Sequence, residues 1–142
     1  MDLQTLADRV EIGDLLTRYA TAVDRKDWEL YRAVFTADAW IDYSSAGGLA
    51  GDVDTVLAGL PEQLSLFACT QHFISNVEVQ LSADTAQVRA MFFNPMIVTP
   101  GKQFTCGGWY NHDLVRTPEG WRSNRLVEES AWFDGLAAAF TD

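Results

Sequence analysis

The fold is decided by residues 71–129, QHFISNVEVQLSADTAQVRAMFFNPMIVTPGKQFTCGGWYNHDLVRTPEGWRSNRLVEE. β-Branched, aromatic and other strand-favouring side chains fill four runs, at residues 71–81, 85–98, 104–115 and 121–129. Three short polar or Gly/Pro-containing segments separate the runs, at residues 82–84, 100–102 and 117–120. Connections this short predict antiparallel hairpins, so this half of the chain is expected to form a meander of long strands.

The chain before this meander has the spacing of helices. Apolar side chains recur at helical intervals over residues 10–23, and Asp27 stands where it can cap a second short helix that begins at Trp28. Three further elements are predicted before residue 71: a short strand at residues 40–43, a turn rich in Gly and Ser at residues 44–51, and one or two helices, interrupted at Pro61, at residues 54–67. Helices followed by a meander predict an α+β domain, in which a curved, mixed and mostly antiparallel sheet wraps the N-terminal helices.

Composition limits the class of partner. The 142 residues fit a single domain, residues 1–142, and the hydrophobic fraction of 48% includes enough Trp and Phe to line an apolar cavity as well as a core. A formal net charge of -10 argues against nucleic acid and anionic membrane surfaces as partners. The first residues contain no basic segment followed by an apolar core, and no stretch approaches the length of a membrane span, so a cytoplasmic location is expected.

Metal and cofactor signals are missing from the sequence. Cys69 and Cys106 lie far apart and outside any Cys/His ligand pattern, so they are expected to be reduced and buried, with a redox pair formed across two strands as the minor alternative. Histidines and carboxylates have no metal-ligand spacing, and Gly47-Gly48 lacks the strand-turn-helix context of a phosphate loop. We therefore expect neither a metal nor a cofactor.

His72 is the first candidate for proton transfer. It is one of only two histidines, and an imidazole held by a carboxylate can take and return a proton near neutral pH. Asp24, directly after the helix predicted for residues 10–23, is the candidate carboxylate. Both residues have structural alternatives: a simple hydrogen bond for His72 and a cap or loop role for Asp24. Strand periodicity places three residues on the face of His72, namely Ile74, Asn76 and Glu78.

The later strands carry further candidates. Tyr110 is either a hydrogen-bond donor in a pocket or a core aromatic residue with a satisfied hydroxyl group. His112 shares its face but lies near the strand end, so we expect it at the surface or at an interface. Arg125 either binds an anionic group of the substrate or pairs with Glu128 or Glu129.

Several short motifs together resemble a known family. They are Tyr19 with Asp24, DRKDW at residues 24–28, IDY at residues 41–43, TQHF at residues 70–73 and EGW at residues 119–121. They resemble the SnoaL-like group of the NTF2-like superfamily, and within it the scytalone dehydratases and hexachlorocyclohexane dehydrochlorinases. The resemblance runs from about residue 12 to residue 125. It implies an NTF2-like, cystatin-like cone and a homo-oligomer, a trimer or a dimer, because the related enzymes are commonly trimers. The apolar residues 132–136 either cap the cavity or contact a neighbouring subunit.

The resemblance also implies roles for individual residues. His72 matches the general base or acid, and Asp24 matches the carboxylate that orients its imidazole. Tyr43 stands where the dehydratase has a tyrosine that holds a water or a substrate oxygen. Tyr19 is expected to contact the substrate.

Two departures from the dehydratase pattern limit the substrate. Val23 stands where the dehydratase has a second tyrosine, and residues 94–97, NPMI, stand where it has a second pocket histidine. Scytalone itself is therefore not the expected substrate. Asn94 either donates a hydrogen bond to a substrate oxygen in place of that histidine or has a structural role before Pro95.

These observations predict a cofactor-independent lyase of the dehydratase type that acts on a small, apolar, oxygenated ring compound, such as a polyketide or an aromatic intermediate. His72 is expected to remove a proton next to a carbonyl group, and Tyr43, with Tyr110, to stabilise the enolate or protonate the departing hydroxyl group. Two alternatives remain open: a double-bond isomerase or polyketide cyclase with the same pair, and a small-ligand-binding module without catalysis.

Overall fold

The computed structural model describes residues 1–141 of the chain. The helices are α1 (Leu3–Arg25), α2 (Trp28–Arg32), α3 (Val53–Leu64) and α4 (Leu136–Ala139), with one 3-10 turn at Ser44–Ala46. The strands are β1 (Phe35–Asp42), β2 (Ala50–Asp52), β3 (Cys69–Thr70), β4 (Phe73–Ser82), β5 (Thr85–Thr99), β6 (Lys102–Thr117) and β7 (Gly120–Asp134).

The seven strands form one sheet in the order β2-β1-β7-β6-β5, and β3 and β4 share the outer edge of β5. Strands β1 and β7 pair in parallel, and every other described pair is antiparallel. The predicted α+β architecture, with N-terminal helices in a curved and mostly antiparallel sheet, is therefore confirmed. Alternate residues of β5 and β6 are buried against α1, which places the core in the concave side of the sheet.

Helix α1 begins seven residues before the start predicted from apolar spacing. Leu3, Leu6 and Val10 of its first turns have helical spacing, but their side chains are exposed, so this end of the helix buries no apolar stripe. Asp2 caps the helix, because its carboxylate accepts a hydrogen bond of 2.7 Å from the backbone N–H of Thr5. A cap signal, rather than a hydrophobic stripe, marks this end of the helix.

Two other predicted boundaries were wrong. Helix α3 continues through Pro61 to Leu64, because Val56, Leu60 and Leu64 bury one face in the core and outweigh the backbone hydrogen bond that proline removes. Strand β1 begins at Phe35 instead of Trp40, since it gains a parallel partner in β7 that no local pattern reveals.

Helix α1 is joined to the sheet by an ion pair and an indole on the side of the fold formed by β6 and β7. Arg116 donates two hydrogen bonds to the buried carboxylate of Asp8, at 2.8 and 3.0 Å, and Nε1 of Trp121 donates a third at 3.1 Å. The guanidinium group also lies 4.6 Å from the centre of the Trp121 ring. The three residues hold the start of the helix against the hairpin between β6 and β7.

Within residues 1–141, no helix is both long enough and apolar enough to cross a bilayer.

Candidate active site

A cavity of about 410 Å³ lies between the helices and the concave face of the sheet. Its wall is mainly apolar, with contributions from Val23, Leu64, Phe67, Met96, Phe104 and Phe133. Five of the seven predicted site residues line it: Tyr19, Tyr43, His72, Asn94 and Tyr110. Asp24 lies behind His72, outside the lining. This arrangement combines an apolar chamber with a few polar groups, as small-molecule sites generally do.

His72 lies in the break between β3 and β4 and not within a strand as predicted. Gln71 donates its backbone N–H to Pro95 of β5, so the N–H of His72 points away from β5, and it donates to Asp24 at 2.9 Å. The ring Nδ1 of His72 lies 2.6 Å from the other oxygen of Asp24, and the hydroxyl of Thr70 donates to that oxygen at 2.9 Å. Three contacts therefore fix the carboxylate against the imidazole.

The alternation predicted beyond His72 does not continue along β4. The pairing of β4 with β5 shifts between Ser75 and Glu78, and Asn76 adopts a left-handed backbone with a φ of 50°. Ile74 keeps to the core side, but Asn76 and Glu78 are exposed. The face predicted for the last two residues was therefore wrong, because an extra residue in one strand reverses the order of the side chains that follow.

The contact between His72 and Asp24 determines which ring nitrogen of the imidazole carries the proton. Burial opposes ionisation of Asp24, but the hydrogen bonds from His72 and Thr70 outweigh it and lower the pKa of the carboxyl group. An ionised Asp24 requires a proton on Nδ1 of His72, which leaves the lone pair on Nε2. The imidazole is 7% exposed and lines the cavity, so Nε2 is the atom available to the contents of the cavity.

Tyrosine hydroxyls form a second polar group in the cavity. The hydroxyl of Tyr43 lies 2.7 Å from those of both Tyr19 and Tyr31. Burial raises the pKa of all three tyrosines, so each stays protonated at neutral pH. Three hydroxyls carry three protons and their two mutual hydrogen bonds use two. When Tyr19 and Tyr31 both donate to Tyr43, the proton of Tyr43, which lines the cavity, is free for a ligand. Tyr31 completes this group and was not predicted from the sequence.

A third polar group lies on the sheet side of the cavity. The side-chain N–H of Asn94 donates to the hydroxyl of Tyr110 at 3.2 Å, and Tyr110 is the cross-strand neighbour of Glu128. Asn94 Oδ1 and Glu128 Oε1 are buried and have no hydrogen-bond partner within residues 1–141. A buried acceptor without a donor costs free energy of folding, so a ligand that donates hydrogen bonds to this wall would bind favourably.

Glu128 is a site residue that the sequence analysis missed. It lines the cavity, and burial raises the pKa of its carboxyl group to about 7. Its position results from an irregularity: Leu114 pairs with Ser123, whereas Asp113 pairs with Arg125, so β7 contains one extra residue between these pairs. The side chains beyond this bulge change faces, which turns Glu128 inward.

The same bulge turns Arg125 outward. Arg125 is exposed and outside the cavity lining, so its predicted contact with an anionic substrate group is not supported by its position, and neither Glu128 nor Glu129 forms an ion pair with it. Glu129 instead pairs with Arg89 at 2.6 Å.

The surface or interface position expected for His112 was wrong. Its ring is 2% exposed and lies 6.1 Å from the ring of Tyr19, and its Nδ1 lies 2.9 Å from the hydroxyl of Ser123. Burial lowers the pKa of His112 to about 3, so this imidazole is neutral at physiological pH and belongs to the core.

The two cysteines remain free thiols, Cys106 buried as expected and Cys69 exposed against expectation. Within residues 1–141 no group of three or more ligand side chains is placed to hold a metal ion.

A curved sheet closed by N-terminal helices around an apolar cavity is the NTF2-like architecture, and a solved structure from the NTF2-like family superimposes on the chain. The model of the SnoaL-like domain family matches residues 4–127. The chain therefore belongs to the SnoaL-like family, as the motifs indicated.

Curated relatives cover most of the chain. An uncharacterized protein of Mycobacterium tuberculosis is 38% identical over 130 residues, which cover 90% of this chain and 88% of that protein. Terrestric acid biosynthesis cluster protein E of Penicillium crustosum is 27% identical over 144 residues and covers 95% of this chain and 90% of its own length.

Solved structures share the fold. A protein of Novosphingobium aromaticivorans named as an aromatic ring hydroxylase is 28% identical, with a TM-score of 0.85 over 94% of this chain and 97% of its own. A scytalone dehydratase-like protein of the same organism is 21% identical, with a TM-score of 0.83 over 92% of this chain and 89% of its own. A type 2 hexachlorocyclohexane dehydrochlorinase is 20% identical, with a TM-score of 0.86 over 100% of this chain and 97% of its own.

Proposed function

We propose that this protein is a cofactor-independent lyase of the dehydratase type, acting on a small, apolar, oxygenated ring compound such as a polyketide or an aromatic intermediate. One observation carries the proposal: an imidazole held by a carboxylate at 2.6 Å faces an apolar cavity of about 410 Å³. Dehydratase and dehydrochlorinase neighbours with the same fold support the reaction class.

His72 is the base in this proposal. Its Nε2 removes the proton next to a carbonyl group of the substrate, and the resulting imidazolium is stabilised by the ionised Asp24 behind it. The mainly apolar wall strengthens this interaction, because a charge pair is worth more where little water screens it.

The tyrosine hydroxyls donate a hydrogen bond to the carbonyl oxygen of the substrate. Negative charge develops on this oxygen as the proton leaves, and the spare proton of the group formed by Tyr19, Tyr31 and Tyr43 is available to bind it. Because the three hydroxyls are already hydrogen-bonded to one another, this donor is held in place before the substrate arrives.

Asp24→Asn tests the proposal on 3-hydroxy-1-tetralone, an apolar bicyclic β-hydroxyketone. The wild type should release 1-naphthol, a product lighter by one water, and the variant should be slower by about 10²-fold or more because a neutral amide does not stabilise the imidazolium. Liquid chromatography with mass detection measures both rates.

Asp27→Asn is the matched control. Asp27 caps α2 outside the cavity, and asparagine caps helices equally well, so its rate should equal that of the wild type. A product of unchanged mass would favour an isomerase or cyclase, and binding without any conversion would favour a ligand-binding module. Either result contradicts the dehydratase assignment.

We also infer that copies of the chain associate through an aromatic patch on the outer face of the sheet, made of Phe73, Phe93 and Trp132. These side chains are 53%, 51% and 42% exposed, and Phe93 lies 6.2 Å from Phe73 and 5.9 Å from Trp132 between ring centres. A contiguous exposed aromatic surface of this kind favours a protein interface. Residues 132–136 thus divide between two roles, because Phe133 and Leu136 line the cavity while Trp132 belongs to this patch.

Phe93→Asp should convert an oligomer of the wild type into a monomer, because it places an unpaired charge at the centre of the patch. Size-exclusion chromatography with light scattering measures the mass of each. Gln87→Asp, at an exposed position of the same strand away from the patch, should leave the mass of the oligomer unchanged. A monomeric wild type would refute the inference.

A further inference from the structure

We propose that Glu128 is the second catalytic group of this site, the acid that protonates the oxygen leaving the substrate. The assignment rests on the proposed dehydratase function. It replaces the role of proton donor that the sequence suggested for Tyr43 and Tyr110.

The position of Glu128 supports this role. Its side chain lines the same cavity as His72 and extends from β7 in the middle of the sheet, whereas His72 lies at the edge of the sheet, next to β5. Its Oε1 is buried and has no partner within residues 1–141. Base and acid therefore approach a substrate in the cavity from different parts of the sheet.

The surroundings of Glu128 favour the protonated acid. The titratable groups that face it are Tyr110 and Cys106 from β6, Tyr31 from α2 and Asp42 at the end of β1. None of them is a cation, and no ion pair within residues 1–141 includes Glu128. Burial raises the pKa of this carboxyl group to about 7 even though the hydrogen bond with Tyr110 lowers it, so part of the group carries a proton at neutral pH.

The tyrosines are less suited to donate this proton. Burial raises the pKa of Tyr43 and Tyr110 well above that of free tyrosine, so full transfer from either is unfavourable at neutral pH. An acid with a pKa near the working pH is the more effective donor. Tyr43, with Tyr19 and Tyr31, remains the hydrogen-bond donor to the carbonyl oxygen.

The free acceptor atom of Asn94 favours a hydroxyl as the leaving group, because a hydroxyl can donate a hydrogen bond to it. Its unpaired Oδ1 and the unpaired Glu128 Oε1 are linked through Tyr110, which Asn94 contacts at 3.2 Å and which pairs across the strands with Glu128. A hydroxyl group can donate to one acceptor while it accepts a proton from the acid. An ether or a halide cannot donate in this way.

The elimination proceeds in two steps. His72 takes the proton next to the carbonyl, and the electrons of that C–H bond form an enolate with its negative charge on the carbonyl oxygen. The enolate then reforms the carbonyl and gives the new C=C bond as the C–O bond breaks, the electron pair of the C–O bond leaves with the oxygen, and the proton of Glu128 converts the leaving group into water. The imidazolium then returns its proton to solvent and the carboxylate takes one up, so the net change is loss of one water.

Glu128→Gln separates the two halves of this reaction, and glutamine copies the shape and neutrality of the protonated acid. With 3-hydroxy-1-tetralone in D₂O, we expect the variant to keep exchanging the proton next to the carbonyl at the rate of the wild type, measured by NMR. Formation of 1-naphthol should fall by about 10²-fold or more.

A better leaving group should remove the need for the acid. Acetate departs without protonation, so the 3-acetoxy analogue of the probe should lose acetate at similar rates in the wild type and in Glu128→Gln. The control is Glu129→Gln, the adjacent glutamate, which lies on the outer face and pairs with Arg89. It should match the wild type on both probes.

Titration of Glu128 gives a readout without substrate. In protein labelled with ¹³C at glutamate Cδ, the signal absent from Glu128→Gln should titrate near pH 7. Titration in the ordinary range of glutamate, or full dehydration by the variant, would overturn the role of Glu128 and leave that of His72 intact. A wild type that neither exchanges nor eliminates would overturn the proposed function itself.

Discussion

His72→Gln is expected to lower dehydration of 3-hydroxy-1-tetralone by about 10²- to 10⁴-fold, the range typical of a general base. Glutamine can still donate to Asp24 from its amide but has no basic nitrogen, so the loss reports proton removal and not packing. Exchange of the substrate proton in D₂O should fall by the same factor, since both measurements depend on one step. This combined loss distinguishes His72 from Glu128, whose replacement should spare the exchange.

Gln71→Asn controls for local folding, because Gln71 is an exposed neighbour of His72. Its backbone N–H donates to the carbonyl oxygen of Pro95, and this hydrogen bond does not involve the side chain. Its rates should equal those of the wild type, and thermal unfolding should show all three proteins folded. If His72→Gln kept the exchange rate of the wild type, the imidazole would not be the base and the mechanism proposed here would be wrong.

Acid should destabilise the protein partly through His112. Burial lowers its pKa to about 3, whereas an unfolded histidine has a pKa near 6.5. Between these two pKa values the unfolded chain binds a proton at this histidine and the folded chain does not. The free energy of unfolding therefore decreases as the pH falls from about 6.5 toward 3. Between pH 7 and pH 4 this single ring accounts for a loss on the order of 3 kcal/mol in the free energy of unfolding.

The double variant His112→Phe/Ser123→Ala isolates this contribution. Phenylalanine preserves the packing beside Tyr19, and alanine removes the hydroxyl that would lose its partner Nδ1. Urea unfolding at pH 7 and pH 4 should show a smaller difference in the variant than in the wild type. The carboxylates contribute equally to both proteins, so identical differences would mean that the buried ring takes up a proton without cost.

Much of the fold was predictable because it follows from local rules. Period-two apolar runs joined by short turns can form little other than hairpins, and the strands at residues 85–98 and 104–115 were found close to their predicted bounds. The parallel pairing of β1 with β7 was not predictable, because its partners lie more than 80 residues apart and neither carries a signal for the other.

The candidate site was predictable to the extent that it resembles its family. The motifs around Asp24, Tyr43 and His72 predicted that these residues share one site, and the structure places Asp24 in contact with His72. The contact itself uses the backbone N–H of His72 as well as its ring, because this N–H donates to the carboxylate of Asp24. Gln71 bonds to Pro95 of β5, so the N–H of the next residue points away from β5 and is free for this contact, a detail that depends on the strand register.

The sequence by itself determined the fold class and the apolar character of the cavity, because apolar periodicity and residue type are local properties, and its motifs indicated that His72 and Asp24 would lie together. Only the tertiary structure decided which acidic side chain enters the cavity and that His112 lies in the core. One extra residue in β7 turns Glu128 inward and Arg125 outward, and pairing between strands, which creates that bulge, is a property of two segments at once.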